Sequence, residues 1–218
     1  MKQILLYGAT GKTGEWVLQY ALEKGIEVNA LVRNPSKLHN DSELLHIFEG
    51  TPYNIENVRT AIEGCDAVIS TLGNSRTSAK PFQDSRGPVD LMSKSIQNTI
   101  KVMDEIGLKR IAIVSFVGAG DSLKFTPTLM KWIFTRSFFK IIREDHTNQE
   151  KSLEQSDLDW TIVRPVALSN SDQLADLHIQ DNENLLSFRV SRKAVGKFLV
   201  DCLDNEEFYH KHLMLCEK

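Results

Sequence analysis

Seven residues near the N-terminus, Gly8-Ala9-Thr10-Gly11-Lys12-Thr13-Gly14, constrain this chain more than any others. They follow a short apolar run, Gln3-Ile4-Leu5-Leu6-Tyr7, that reads as a buried strand. They open an amphipathic stretch over residues 12–24, with Trp16, Val17, Tyr20 and Ala21 on one face, that reads as a helix stopped by Gly25. A strand that turns through glycines straight into a helix aims the helix's first N–H groups beyond the strand end, where they favour an anion. Gly8 allows the tight turn, Gly11 lets backbone approach a pyrophosphate, and Gly14 lets helix and strand pack closely. This is the context of a dinucleotide site. It is not a P-loop, which would need glycine at position 6, where Leu6 stands. The plainer alternative is an ordinary glycine turn.

The rest of the chain alternates short apolar runs with helical patterns. Residues 26–33 read as a strand. Asn54 caps a helix through Glu63, ended by Gly64, and Asp66 to Leu72 is a strand closed by Gly73. A long helix is expected from about Pro88 to Ile106 with Gly107 as its cap, then a strand from Arg110 to Val117. Glu144 to Ser156 reads as helix, Asp159 to Arg164 as a strand stopped by Pro165, Ser191 as the cap of a helix through Leu203, and His212 to Leu215 as a last strand. This succession predicts an α/β fold: a Rossmann-type, doubly wound, mainly parallel sheet with helices on both faces. One domain over residues 1–218 is expected, with residues from about 166 onward on the substrate side. Two loop-rich stretches, 74–87 and 166–190, belong where ligands gather in such sheets, beyond the strands' carboxyl ends.

The second strand ends in Leu31-Val32-Arg33-Asn34-Pro35-Ser36-Lys37. An NAD site usually places an acidic residue there for the ribose 2′-OH. Arg33 instead offers a planar fork suited to a 2′-phosphate, with Ser36, Lys37 and Lys12 as further donors, which points to NADP(H). The alternative is a solvated basic loop. The net charge of -3 gives no global reason to expect a nucleic-acid partner. Three scattered cysteines, Cys65, Cys202 and Cys216, read as reduced and mostly buried thiols, and the chain is long enough to fold without a disulfide or structural metal. The N-terminal apolar run is too short for a signal peptide, and no stretch is long enough to span a membrane. The expectation is a cytoplasmic protein, a monomer or small homo-oligomer.

Four motifs then occur in order: residues 8–14, residues 31–37, Asp66-Ala67-Val68-Ile69-Ser70-Thr71-Leu72-Gly73, and Leu158-Asp159-Trp160-Thr161-Ile162-Val163-Arg164-Pro165. Together they resemble the atypical, NmrA-like branch of the extended short-chain dehydrogenase/reductase superfamily, and within it the biliverdin reductase B / flavin reductase type. Asp145-His146 ahead of the last motif is similar to that type as well. The resemblance covers essentially the whole chain and is more specific for fold and cofactor than for substrate. It implies that Gly8, Thr10, Gly11, Lys12 and Thr13 line the pyrophosphate and 2′-phosphate side, and that Arg33 holds the 2′-phosphate. Thr71, Leu72 and Gly73 would lie beside the adenosine ribose and the cofactor's spine. Ser115 matches a serine near the nicotinamide, Pro165 follows the strand supporting that end, and Arg76 matches a loop that folds over the cofactor.

Two departures stand out. The resemblance leads one to expect Asp after the glycine beside the adenine, but Thr51 follows Gly50. Thr51 can still accept a bond there. The Tyr-x-x-x-Lys pair of ordinary short-chain dehydrogenases is absent from its place, and the spacing from Tyr20 to Lys24 on the first helix reads as coincidence. Ordinary carbonyl reduction needs such a proton donor, whereas a flavin or quinone takes hydride into a delocalised system that water can protonate. The expected activity is therefore hydride transfer from NADPH to a flavin, quinone or similar conjugated acceptor. Ser115 would position the amide or acceptor, and His146, expected at the start of its helix, would donate a proton near neutral pH. The plainer reading of His146 is a surface histidine at a helix end. Residues 125–143 read either as an apolar wall for a flat substrate or as a helix packed on the sheet with a solvated basic face. A rival function is an NADP(H)-binding redox sensor that regulates a protein partner without turnover.

Overall fold

The computed structural model describes residues 1–73, 88–136, 139–174, 176–180 and 187–218. The first apolar run forms β1 (Gln3–Tyr7), and its alternation decides the architecture. Ile4 and Leu6 join one buried cluster and Leu5 and Tyr7 the other, so β1 is covered on both faces. A strand that is apolar at every position needs helices above and below it. After β1 come α1 (Gly14–Glu23), β2 (Glu27–Val32), β3 (Leu45–Glu49), α2 (Ile55–Ala61), β4 (Ala67–Ser70) and α3 (Leu91–Ile106). Then follow β5 (Arg110–Val114), α4 (Thr128–Arg136), α5 (Phe139–Glu154), β6 (Asp159–Pro165), β7 (Ala167–Ser169), β8 (Leu177–Gln180), β9 (Arg189–Ser191), α6 (Arg192–Asp201) and β10 (Lys211–Glu217).

The main sheet runs in the order β3-β2-β1-β4-β5-β6-β10-β8. All neighbours pair in parallel except β8, which lies antiparallel to β10. Helices α1 and α6 pack together on one face, and α2, α3 and α5 cover the other. The fold is thus the doubly wound α/β sheet expected. The order reverses between β1 and β4, and the carboxyl ends of these two strands flank the crevice where such sheets bind ligands.

Several elements differ from the sequence reading. β3 was not anticipated: it is an edge strand with three of its five residues exposed, paired only with β2, from which it takes its register. Helix α5 begins at Phe139 rather than at residue 144, which puts His146 in the middle of a helix and not at its start. β5 stops at Val114, yet the chain beyond it stays tied to β6, because the N–H groups of Ser115 and Val117 donate to Val163 and Pro165. The stretch 166–190, expected as loop, contains β7 and β9, which pair with each other, and β8.

A buried ion pair fixes α5 to the sheet. Arg164 on β6 and Glu150 on α5 meet through two parallel bonds, Nε to Oε1 at 3.0 Å and Nη2 to Oε2 at 2.9 Å. Both are almost wholly buried, and Arg164 also donates to Asp121 Oδ1 at 2.7 Å, which ties down the turn Gly120–Phe125. Removing one member of such a pair strands a buried charge. Glu150→Ala should therefore cost about 3–5 kcal/mol in urea unfolding. The double change Glu150→Leu with Arg164→Met should cost clearly less than the single one, and an equal or larger loss would show that the charges themselves stabilise the fold.

Candidate functional site

Every sequence-marked residue that the structure describes at this end lies at a strand's carboxyl end or in the turn that follows. The turn after β1 is held by a bond from Gly11 N–H to the Gly8 carbonyl at 2.8 Å, and Glu15 N–H bonds to the Gly11 carbonyl at 2.8 Å. Gly8 has φ of +82°, in the left-handed region that favours glycine. A Cβ on Gly14 would lie 2.0 Å from the Gly8 carbonyl oxygen, so only glycine lets α1 begin this close to β1. Thr71, just past β4, completes the contact: its hydroxyl donates to the Tyr7 carbonyl at 2.9 Å and sits where a side chain at position 8 would be. Thr13 precedes α1, but its side chain makes no capping bond, which leaves the helix's first N–H groups to an anion.

A cavity of about 370 Å³ opens from this turn along the strand ends. Gly8, Thr10 and Gly11 form one wall, Thr71, Leu72 and Gly73 the opposite one, and Arg33, Lys37 and Thr51 line its outer end. The structure thus brings together nine of the marked residues. Lys12 and Gly14 do not line it; Lys12 projects from the exposed turn, and Gly14 is buried beneath it. Thr13 likewise does not line it. Arg76 lies outside the described residues. The cavity also takes in Leu31, Val32, Pro52 and Leu91, which the motifs did not single out because their apolar side chains carry no signal beyond core packing.

Local hydrogen bonds shape the outer end. Asn34 Oδ1 accepts from the N–H and hydroxyl of Ser36, at 3.1 and 2.7 Å, and so turns the chain after the exposed Arg33. Buried Asn98 on α3 donates to the carbonyls of Pro52 and Tyr53 at 3.0 and 2.9 Å, and Asn57 Oδ1 accepts from Thr51 N–H at 3.2 Å. The segment carrying Thr51 is therefore held from two sides.

The second half of the site lies beyond β5 and β6. Ser115 is only 2 % exposed, and among the described residues its hydroxyl has no hydrogen-bond partner. A buried hydroxyl left unpaired is costly unless something else bonds to it. Pro165 is buried at the end of β6, and the chain on either side of it is pinned by bonds from Val117 to Pro165 and from Val166 to Leu215. A nicotinamide dinucleotide fits this donor set. The turn supplies close backbone, Arg33 and Lys37 supply cations, and Ser115, which like Pro165 does not line this cavity, supplies an unpaired hydroxyl just past the neighbouring strand β5.

Helix α5 stands over this half with a buried polar stripe, Asp145, His146, Gln149 and Glu150. Asp145 accepts from the N–H groups of Met92 and Ser93, at 3.0 and 2.9 Å, and so caps α3, whose own Asp90 does not. His146 is 7 % exposed and packs edge-on against Phe116, with ring centroids 5.1 Å apart. Burial pushes its pKa down to about 4, so the ring is neutral at pH 7 and is no proton donor in the ordinary sense. It is also not a surface histidine. Of the aromatic stretch 125–143, Phe134 alone is buried, edge-on against Phe116 at 5.4 Å; Trp132 is exposed, and Phe138 lies outside the described residues. Helix α4 packs on α5 rather than on the sheet, which corrects the expectation of a helix packed on the sheet.

Comparison with known proteins places this geometry. Residues 8–206 match a protein family described as NAD(P)H-binding. An uncharacterised chloroplastic protein of Arabidopsis thaliana is 24 % identical over 94 % of this chain and 73 % of its own length. Among solved structures, ChuY, an anaerobillin reductase from Escherichia coli O157:H7, superposes with a TM-score of 0.81 at 24 % identity, covering 99 % of this chain and 97 % of that one. A short-chain dehydrogenase/reductase from Veillonella parvula in complex with NADP gives 0.79 at 19 % identity, covering 99 % and 94 %. At these identities the two structures establish the fold.

Burial of His146 carries a measurable linkage. The unfolded chain takes up a proton near pH 6.5 and the folded one only near 4. Below pH 6.5 the unfolded state therefore binds more protons, and stability falls as pH drops through this window, by on the order of 3 kcal/mol from this group. Urea midpoints measured from pH 7 to 4 should fall less steeply in His146→Phe than in wild type. Parallel curves would show that His146 is protonated in the folded protein.

Proposed function

The chain belongs to the NAD(P)H-binding family, and from that premise we propose that it is an NADPH-dependent reductase acting on a flavin, a quinone or a similar conjugated acceptor. The observation that carries this reading is the buried, unpaired hydroxyl of Ser115 just past β5, the strand next to β4, whose own end lines a cavity that also takes in Arg33 and Lys37. NADPH, when bound, supplies the hydride. The chain's residues bind and orient. The backbone at the glycine turn and the start of α1 receives the pyrophosphate, and Arg33 offers its fork to the 2′-phosphate. Ser115 holds the nicotinamide amide or the acceptor, and residues from about 166 onward face the substrate.

The tyrosines support an acceptor of this kind. The chain has four, and the pKa of each, at Tyr7, Tyr20, Tyr53 and Tyr209, is raised, with loss of hydration as the leading cause. Tyr7 is sealed in the core, bonded to Thr99 at 3.0 Å. None is an activated phenol that can move a proton at a carbonyl oxygen. An acceptor whose electron system takes up hydride and leaves protonation to water needs no such group.

NADPH oxidation, followed by absorbance with flavin mononucleotide, riboflavin and a simple quinone, tests the reading. Turnover is expected on at least one acceptor. Arg33→Ala should raise the NADPH KM by about tenfold or more with little change in kcat, and should leave NADH kinetics nearly unaltered. Tight NADPH binding without turnover on any acceptor would move the protein to the sensor class. An Arg33→Ala enzyme with unchanged KM would remove the 2′-phosphate clamp.

A further inference from the structure

Residues 146 and 149 lie three apart on α5 and so share a face of that helix. Gln149 is almost fully buried, and its amide nitrogen makes two contacts, 3.2 Å to the Val114 carbonyl oxygen and 2.7 Å to His146 Nδ1. A backbone carbonyl can only accept, so the atom facing it must be the amide nitrogen and not the amide oxygen. That settles which way the amide is turned. Its second hydrogen then faces Nδ1, which must carry a lone pair. A neutral imidazole with a lone pair on Nδ1 carries its proton on Nε2.

We propose that Gln149 is a positioning residue that holds His146 as the neutral Nε2–H tautomer, so that the acceptor is met by a hydrogen-bond donor instead of a lone pair or a charged ring. Val114 and Phe116 flank Ser115 in sequence, and His146 reaches both, the first through Gln149 and the second by ring contact. The imidazole is thereby tied to the residues on both sides of Ser115, whose hydroxyl has no partner among the described residues. Among the described residues Nε2 has no hydrogen-bond partner. Two charged neighbours are engaged elsewhere, Asp145 with the start of α3 and Glu150 with Arg164; Arg143, one turn before His146, meets Glu144 through Nη2 at 3.9 Å and leaves its buried Nε without a partner among the described residues. From the β5 end and α4, the packing groups Phe116 and Phe134 carry no charge.

The consequence for chemistry rests on the reductase reading above; the tautomer does not. An acceptor that takes up hydride gains two electrons and one hydrogen, and negative charge builds on its heteroatom. The Nε2–H bond meets that charge and keeps its own proton. Water supplies the one proton that completes the reduced acceptor, and NADP+ is the oxidised product.

Long-range proton–nitrogen NMR on the full chain labelled with 15N-histidine, with and without NADP+, reads the tautomer directly, with His146→Asn to assign the signal. At pH 7 the expected result is an unprotonated Nδ1 and a proton on Nε2. Gln149→Glu offers a carboxylate that draws a proton onto Nδ1, so the ring should become charged near neutral pH. With it, kcat on flavin or quinone should fall by about tenfold or more while the NADPH KM stays within about twofold. A proton on Nδ1 in the wild type overturns the inference, as does a Gln149→Glu protein with unchanged nitrogen shifts and kcat. If Gln149→Glu fails to fold, the wild-type spectrum alone decides. A wild type with the Nε2–H signal and no turnover sinks the reductase reading and leaves the tautomer standing; turnover with an Nδ1–H ring does the reverse.

Discussion

The site depends on one close approach, where the start of α1 meets the end of β1 with no room for a Cβ at position 14. Thr71 closes the same gap from β4. Three elements therefore converge on the Gly8 carbonyl and the Tyr7 carbonyl, and the crevice between β1 and β4 takes its shape from that convergence. Were α1 displaced outward by the width of a methyl group, its first N–H groups would no longer face the cavity. Packing and recognition are here the same contact.

The far half of the site is organised differently. Its reference element is α5, whose polar stripe is unusual for a helix face turned inward. Asp145, Gln149 and Glu150 each find partners on another element, on α3, on the end of β5 and on β6 respectively. Buried polar groups that are fully paired fix a single geometry, because any slip leaves one of them unsatisfied. The position of His146 is set by this network and not by apolar packing alone.

The glycine turn, the apolar strands and the helix caps at Asn54, Gly107 and Ser191 were legible in the sequence because each is a local device whose partner lies within a few residues. β3 and β8 were not, since an edge strand is defined by the strand it pairs with. The same reason hid the role of α5. Asp145 caps a helix that begins over 50 residues earlier, and Gln149 reads as any polar helix residue until Val114 is brought to it. Ser115 was visible as a hydroxyl at a strand end; that it is buried and unpaired is a property of the fold.

The pairing of α1 with α6 bears on how the protein is made. Gly196 lies so close to Trp16 that a Cβ there would approach the Trp16 side chain to 2.6 Å, so the first α-helix and the last are fitted to each other across most of the chain. On the ribosome, α1 emerges early and can pack on β1 and β2, but its surface around Trp16 has no cover until α6 has been synthesised. Contacts of such long sequence separation form late and slowly. During that interval the nascent chain leaves that surface to water or to a chaperone, and a chain interrupted before α6 would be left with a half-built layer.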